Sequence, residues 1–186
     1  MKLSYDNIEH YYAKKGYKFY KGKYNINIFG IRCQTDANEF DDLIGIAYQN
    51  SNDIVEVFTA TTDPGRYYLN TPMNKKGTAI LVEGQYKYKT GLHKGKAALV
   101  QKGKVKVFRD NNKDNKHDKG YIDEGFFYIN IHRAGKNSTQ IDKWSAGCQV
   151  FSTESQFLRF LNIVNESKKL YGNSFTYSLF SKCDFS

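Results

Sequence analysis

Apolar and polar positions change period along this chain, and the changes divide it into elements. Ser4 to Lys15 puts Ile8, Tyr11 and Tyr12 on one helical face, with Ser4 as cap and Gly16 as stop. Lys23 to Arg32 (KYNINIFGIR) then alternates with the period of two that a half-buried strand requires. Phe40 to Gln49 and Ile54 to Thr61 repeat that pattern across the polar turn Asn50-Ser51-Asn52-Asp53, which predicts an antiparallel meander. Asp63-Pro64-Gly65 is a strong turn, and the chain is expected to leave it extended through Leu69. Thr78 to Tyr88, Ala97 to Lys102 and Lys104 to Phe108 continue the β pattern, with Gly84, Gly91, Gly95 and Gly103 at turns or bulges.

An apolar run from Phe126 ends on His132, and a polar loop leads from it to Ser145-Ala146-Gly147-Cys148. From Thr153 the period becomes three and four. Thr153-Glu154-Ser155-Gln156 fits a capping box in which Gln156 reaches back to the cap, and Phe157, Phe160, Leu161 and Val164 share a face that ends by Gly172. Ser174 to Ser181 closes the chain as a strand, with Phe175, Tyr177 and Leu179 on one side. The expected class is α+β and mainly β, with an N-terminal helix and one late helix.

Length changes this picture little. With 186 residues and only two prolines, one domain over 1–186 is expected, residues 1–20 forming the helix and its lead-in. Charge adds more. The net charge is +9, and the stretch from Lys75 to Lys119 holds thirteen Lys or Arg against four Asp or Glu. Such a field attracts polyanions, although solvated strand lysines explain most of it. No nucleic-acid motif accompanies the charge, so nucleic acid is not an expected partner. The charged N-terminal segment has no apolar core, so neither a signal peptide nor a membrane span is expected, and synthesis as a cytoplasmic chain follows. Cys33, Cys148 and Cys183 are widely spaced, which supports no zinc ribbon and leaves at least one thiol free.

Two stretches carry candidate chemistry. In Asp110 to Asp118, the oxygen side chains of Asp110, Asn112, Asp114 and Asp118 occupy positions one, three, five and nine of a calcium loop. Position six is Asn115 instead of Gly, and Tyr121 stands at position twelve, so a polar Asx-rich turn is expected, with calcium as the alternative. No other cofactor or metal is expected. The second stretch is the pair His132 and Cys148. A thiol attacks carbonyls when a neighbouring imidazole takes its proton, whereas a Cys and a His apart are ordinary core residues. Gly147 lets the backbone approach a substrate, and Ser145 can hold the turn. The helix downstream suggests a strand-to-helix turn whose amides stabilise an oxyanion.

These residues resemble the L,D-transpeptidase catalytic domain. That family carries a histidine followed by Ser/Thr-x-Gly-Cys, with an upstream Thr-Pro-x-Gly-x-aromatic turn. Thr61-Thr62-Asp63-Pro64-Gly65-Arg66-Tyr67-Tyr68 looks like the turn, Phe126 to Gly135 like the histidine strand, and Ser145 to Cys148 like the nucleophile box. The similarity runs in order from about Ile54 to the C-terminus. It implies a mixed β-sheet or sandwich fold and a peptidoglycan stem-peptide substrate. Cys148 would form a thioester, with His132 as base. The Arg133 backbone carbonyl would orient the histidine ring, and amides at Gly147 and Cys148 would bind the oxyanion. Trp144, Gln149, Tyr67 and His93 are candidate substrate-binding residues beside it.

Three departures bear on substrate anchoring. Ala146 stands where the family has His, Gln149 where it has Arg or Asn, and Arg133-Ala134-Gly135 follows the histidine instead of an immediate glycine. Transfer to an amine and hydrolysis by water, giving transpeptidase or carboxypeptidase/endopeptidase activity, both remain open. A chain lacking a signal peptide reaches the wall if it is released by phage lysis or carried in a virion, where its basic face would suit anionic wall polymer. The alternative is a catalytically silent wall- or polyanion-binding, or virion structural, module on the same fold.

Overall fold

Ser4 opens the first helix as its position predicts. Its side chain accepts from the Asn7 amide, and α1 runs Tyr5–Lys14, with Gly16 beyond it in the left-handed region. The computed structural model describes residues 3–33 and 38–185, and these form three α-helices, eleven strands and a closing 3-10 turn. The architecture is mixed α/β and mainly β, in two sheets. None of the described helices is long and apolar enough to cross a membrane.

The meander is present as β1 (Asn27–Arg32), β2 (Asp42–Gln49) and β3 (Asp53–Thr61), antiparallel neighbours with Ile28 opposite Ile46 and Ile44 opposite Phe58. The strand expected from Lys23 begins only at Asn27. Tyr24 takes a left-handed φ of 52° and stacks on Tyr48, so its segment turns, with a single bridge between Lys23 and Gln49 in place of a strand. All of β1 is buried because it is covered twice. Ile28 joins the central core, whereas Phe29 and Ile31 meet Tyr5, Ile8 and Tyr12 of α1. Each fully buried aliphatic or aromatic side chain contributes about 1.5–3 kcal/mol, so α1 adheres by packing more than by propensity.

The barrel closes through β5 (Gly84–His93), β6 (Lys96–Gln101), β9 (Ile131–Arg133), β10 (Gln149–Phe151) and β11 (Phe175–Ser181). Its order is β1-β11-β5-β6-β9-β10-β3-β2. A separate sheet, β4-β7-β8, joins Thr78–Leu81, Val105–Asp110 and Ile122–Gly125. The β pattern expected over Thr78 to Tyr88, with a turn or bulge at Gly84, is two strands in different sheets, broken at Val82 and Glu83 just before that glycine. The extended exit expected after Gly65 is a short helix, α2 (Arg66–Asn70), because Gly65 takes an extended cap conformation and the next residues turn back onto it. The late helix α3 (Glu154–Tyr171) buries Phe157, Phe160, Leu161 and Val164 against Phe58 and Phe151. Only half of its capping box forms. Thr153 accepts from the Gln156 amide, while the Gln156 side chain accepts from the Thr59 amide on β3 instead of reaching back.

Candidate active site

Parallel pairing of β9 with β10 sets the geometry. Val150 lies opposite His132 and Gln149 opposite Ile131, which places Cys148, one residue before β10, beside the start of β9. Strand β10 separates the cysteine from α3, which starts at Glu154 behind its Thr153 cap as expected, so no helix N-terminus adjoins the thiol in the chain. The turn before Cys148 is held from both sides. Ser145 Oγ donates to the Cys148 carbonyl at 2.7 Å and accepts from the Gly147 amide at 3.1 Å. Gly147 has φ +120°, and a Cβ there would stand 2.3 Å from the Ala79 carbonyl oxygen of β4. Only glycine fits that approach.

The upstream turn touches the same box. The Gly65 amide donates to the Ser145 carbonyl at 2.9 Å, and a Cβ on Gly65 would meet Asp142 O at 2.2 Å. Two stretches far apart in sequence are thus parts of one turn-on-turn contact.

His132 is 6 % exposed and Cys148 8 %. His132 Nδ1 lies 3.0 Å from the Arg133 carbonyl oxygen, which accepts only if Nδ1 carries the proton. Nε2 is then the basic nitrogen, and it is buried without a hydrogen-bond partner. His93, at the end of β5, stacks on His132 with ring centroids 4.2 Å apart and planes 6° from parallel. A ring nitrogen of each histidine and Cys148 Sγ all lie within 4.8 Å of one another. Two hydrogen bonds fix the state of His93. The Gln101 amide donates to Asn130 Oδ1 at 3.1 Å, so Asn130 Nδ2 is the donor to His93 Nδ1, 3.1 Å away. His93 therefore presents Nε2–H when neutral.

Burial pushes the Cys148 thiol up to about 11, against the opposing pull of the Asn130 amide and the Lys94 charge. Its S–H donates to the Tyr128 carbonyl at 3.4 Å. Burial also pushes His132 down to about 4, opposed by its bond to Arg133 and assisted by the His93 and Lys94 charges. His93 is lowered too, by burial and then by Lys94. The resting pair is a thiol and a neutral imidazole. This donor set is of the kind that takes a soft divalent ion as well as the kind that performs acyl chemistry.

A cavity of about 430 Å³ opens over the thiol, lined by His93, Lys94, His132, Trp144, Ala146 and Cys148, by Phe126 to Ile129 and by the small sheet. Alternation along that sheet puts Ala79 and Arg109 on the thiol side. Ile80 and Phe108 face a second cavity of about 790 Å³ beside Arg32 and His117. A larger open groove of about 1240 Å³ runs along α3 past Tyr24 and Tyr48, and neither His nor Cys lines it.

The sequence-predicted residues fall into three groups. Cys148, His132, His93 and Trp144 come together at this cavity. Gln149 does not reach it: fully buried, its Nε2 donates to the Thr62 and Gly147 carbonyls and its Oε1 accepts from Tyr177, so it braces the turn from beneath. Tyr67 also stands outside, on the surface under Lys143, whose Nζ lies 4.3 Å from its ring centroid. The Gly147 amide is occupied by Ser145, whereas the Cys148 amide has no acceptor among the described residues. In the Asp110–Asp118 loop, the oxygens serve the loop itself. Asp110 accepts from the Asp118 amide, Asn112 from the Asp114 amide and Asp114 from the Lys116 amide, while Asp118 takes the Asn112 side chain. Those carboxylates do not converge; among the described residues the converging donor set is His93, His132 and Cys148. None of Cys33, Cys148 and Cys183 is in a disulfide.

Sequence reasoning missed Arg109 and Asn130. Arg109 sits in a basic segment where nothing distinguishes it from its neighbours, and Asn130 lies inside an apolar run whose one polar member could have been a signal. No family model, curated protein or solved structure matches this chain.

Proposed function

We propose that this protein is a cysteine acyl-transfer enzyme acting on the L,D-peptide bonds of peptidoglycan stem peptides, with Cys148 as nucleophile and His132 as general base. The observation that carries this reading is the buried, unpartnered Nε2 of His132, on a ring held by Arg133 and with one of its nitrogens within 4.8 Å of the thiol sulfur. A buried polar atom without a partner is costly, and a proton moving from the thiol would satisfy it.

With the thiol near 11 and the imidazole near 4, a standing ion pair would cost on the order of 10 kcal/mol before mutual attraction is counted. Proton transfer therefore accompanies attack. Sγ bonds to the carbonyl carbon as its proton passes to Nε2, and the Cys148 amide meets the oxyanion. When the intermediate collapses, the C–N bond breaks and Nε2 returns the proton to the leaving amine. An amine or a water then takes the acyl group from sulfur, regenerating the thiol.

One observation favours a second reading, a silent wall-binding module. The thiol is raised by burial and already donates to the Tyr128 carbonyl. Mass spectrometry after incubation with purified stem peptides separates the two. An acyl adduct on Cys148, absent from Cys148→Ala, is expected; binding with neither adduct nor turnover would establish the second reading.

A further inference from the structure

The cavity above the thiol carries one sign of charge. Lys94, Arg109 and Lys143 line it, and no Asp or Glu is among its described lining residues. Lys94 and Lys143 are exposed, so water screens them. Arg109 is different: it is 5 % exposed, on the thiol-facing side of β7, and its guanidinium is fixed in place. Nε lies 3.2 Å from Asp123 Oδ2, Nη1 donates to the Gly77 carbonyl at 3.3 Å, and the plane sits 4.4 Å from the Phe127 ring centroid. Asp123 also faces Lys76 at 3.3 Å, so two cations share one carboxylate and a positive charge is left over.

Nη2 of Arg109 has no partner among the described residues. It is not one of the fully buried atoms left without a partner, so it keeps solvent contact, and a ligand acceptor there would take the place of water. A guanidinium held this rigidly presents planar donors matched to a carboxylate better than to a neutral amide. The mouth of the same cavity is apolar, with Phe126, Tyr128 and Trp144 exposed.

We propose that Arg109 anchors a free carboxylate on the acyl donor, with Lys94 and Lys143 drawing the anion in, so that the cavity selects donors that are acids over the corresponding amides. This would supply an anchor from the small sheet where the buried Gln149 cannot. That the ligand is an acyl donor rests on the thiol reading above; that the cavity binds a carboxylate does not.

The test is calorimetric titration of the Cys148→Ser protein with a stem tetrapeptide whose carboxylates are free and with its amidated counterpart. The acid is expected to bind about tenfold more tightly, a difference of roughly 1.4 kcal/mol. Arg109→Gln is expected to bring that ratio close to one, and Arg109→Lys to leave it intermediate. Equal affinities in the parent, or a preference surviving Arg109→Gln in a protein shown folded by circular dichroism, overturns the proposal. Should Arg109→Gln fail to fold, Asp123→Asn decides. Freed of its partner charge, the guanidinium is expected to bind the acid more tightly, and an unchanged affinity is the contrary result. An acid preference through Arg109 without any adduct on Cys148 in the wild-type protein would retire the enzyme reading and keep the subsite. An adduct formed equally from acid and amide would do the reverse.

Discussion

Two buried polar clusters meet at the Thr62–Gly65 turn, and they differ in how completely their atoms are paired. In the first, Arg32 stands 2.8 Å from Asp63, and its nitrogens donate to Thr62 Oγ1, Thr62 O and Leu81 O. Asp42 accepts from the Cys33 amide, the Thr62 amide and the Thr62 hydroxyl. In the second, His132 keeps a bare Nε2, and Cys148 has only the weak bond of a thiol to a carbonyl. Similar burial thus serves two ends. A charged network, hydrogen-bonded except at Asp63 Oδ1, which the Arg32 charge alone holds, fixes the strands that carry the turn, whereas the neutral pair keeps its bare nitrogen without any opposite charge beside it.

Substitution should separate these roles. Arg32→Met leaves Asp63 buried and unpaired, and we expect it to lower unfolding free energy by about 3–5 kcal/mol in urea titrations. His132→Gln should do the opposite. It is expected to cut the rate of Cys148 acylation by about 10²–10⁴ while moving stability by less than about 1 kcal/mol. A His132 variant that unfolds as readily as the Arg32 variant while still acylating would dissolve the distinction.

Acid should sharpen it further, because the clusters titrate in opposite senses. His132 sits near 4 in the folded chain and near 6.5 unfolded, so the unfolded chain takes the proton first as pH falls. Its contribution is complete above about 6.5 and lost on the way down through about 4, on the order of 3 kcal/mol in all. Asp42 is raised, by burial first and then by the Asp63 charge. Its contribution is complete below the ordinary carboxylate range and lost as pH rises through the raised folded value. Both act between about pH 4 and 7, so His132→Gln should make stability rise less steeply with pH there, and Asp42→Asn should make it rise more steeply. The acylation rate should likewise hold down to about pH 4, since the base stays neutral that far.

How much of this the sequence disclosed depends on the range of the interactions. Helices α1 and α3 and the strands of the meander are legible because their periods are local and long enough to repeat. The His132 and Cys148 stretches are legible as motifs. Strands β9 and β10, of three residues each, carry no period, so their parallel pairing is not legible along the chain. Gln149 reads as a surface-facing polar residue beside a nucleophile. It is buried because its amide closes a circuit among Thr62, Gly147 and Tyr177, partners up to 87 residues away. Arg109 and His93 reach the thiol through sheet pairing alone, which no local pattern encodes.

The smallest expected effect tests the joint between the clusters. The Thr62 carbonyl accepts from Arg32 Nη2 at 2.8 Å and from Gln149 Nε2 at 3.2 Å, so one oxygen belongs to both networks. A double-mutant cycle with Arg32→Met and Gln149→Met is expected to show a coupling of about 0.5–1 kcal/mol, since each change alters what the shared oxygen has left. The same cycle with His132→Gln in place of Gln149→Met should add to within about 0.5 kcal/mol, because His132 shares no partner with Arg32. Coupling in the first cycle and none in the second would put the boundary between scaffold and site at Gln149. Coupling of equal size in both would mean that the unsaturated pair is strained by the network beneath it, and its bare nitrogen would then belong to the scaffold's energetics as well as to chemistry.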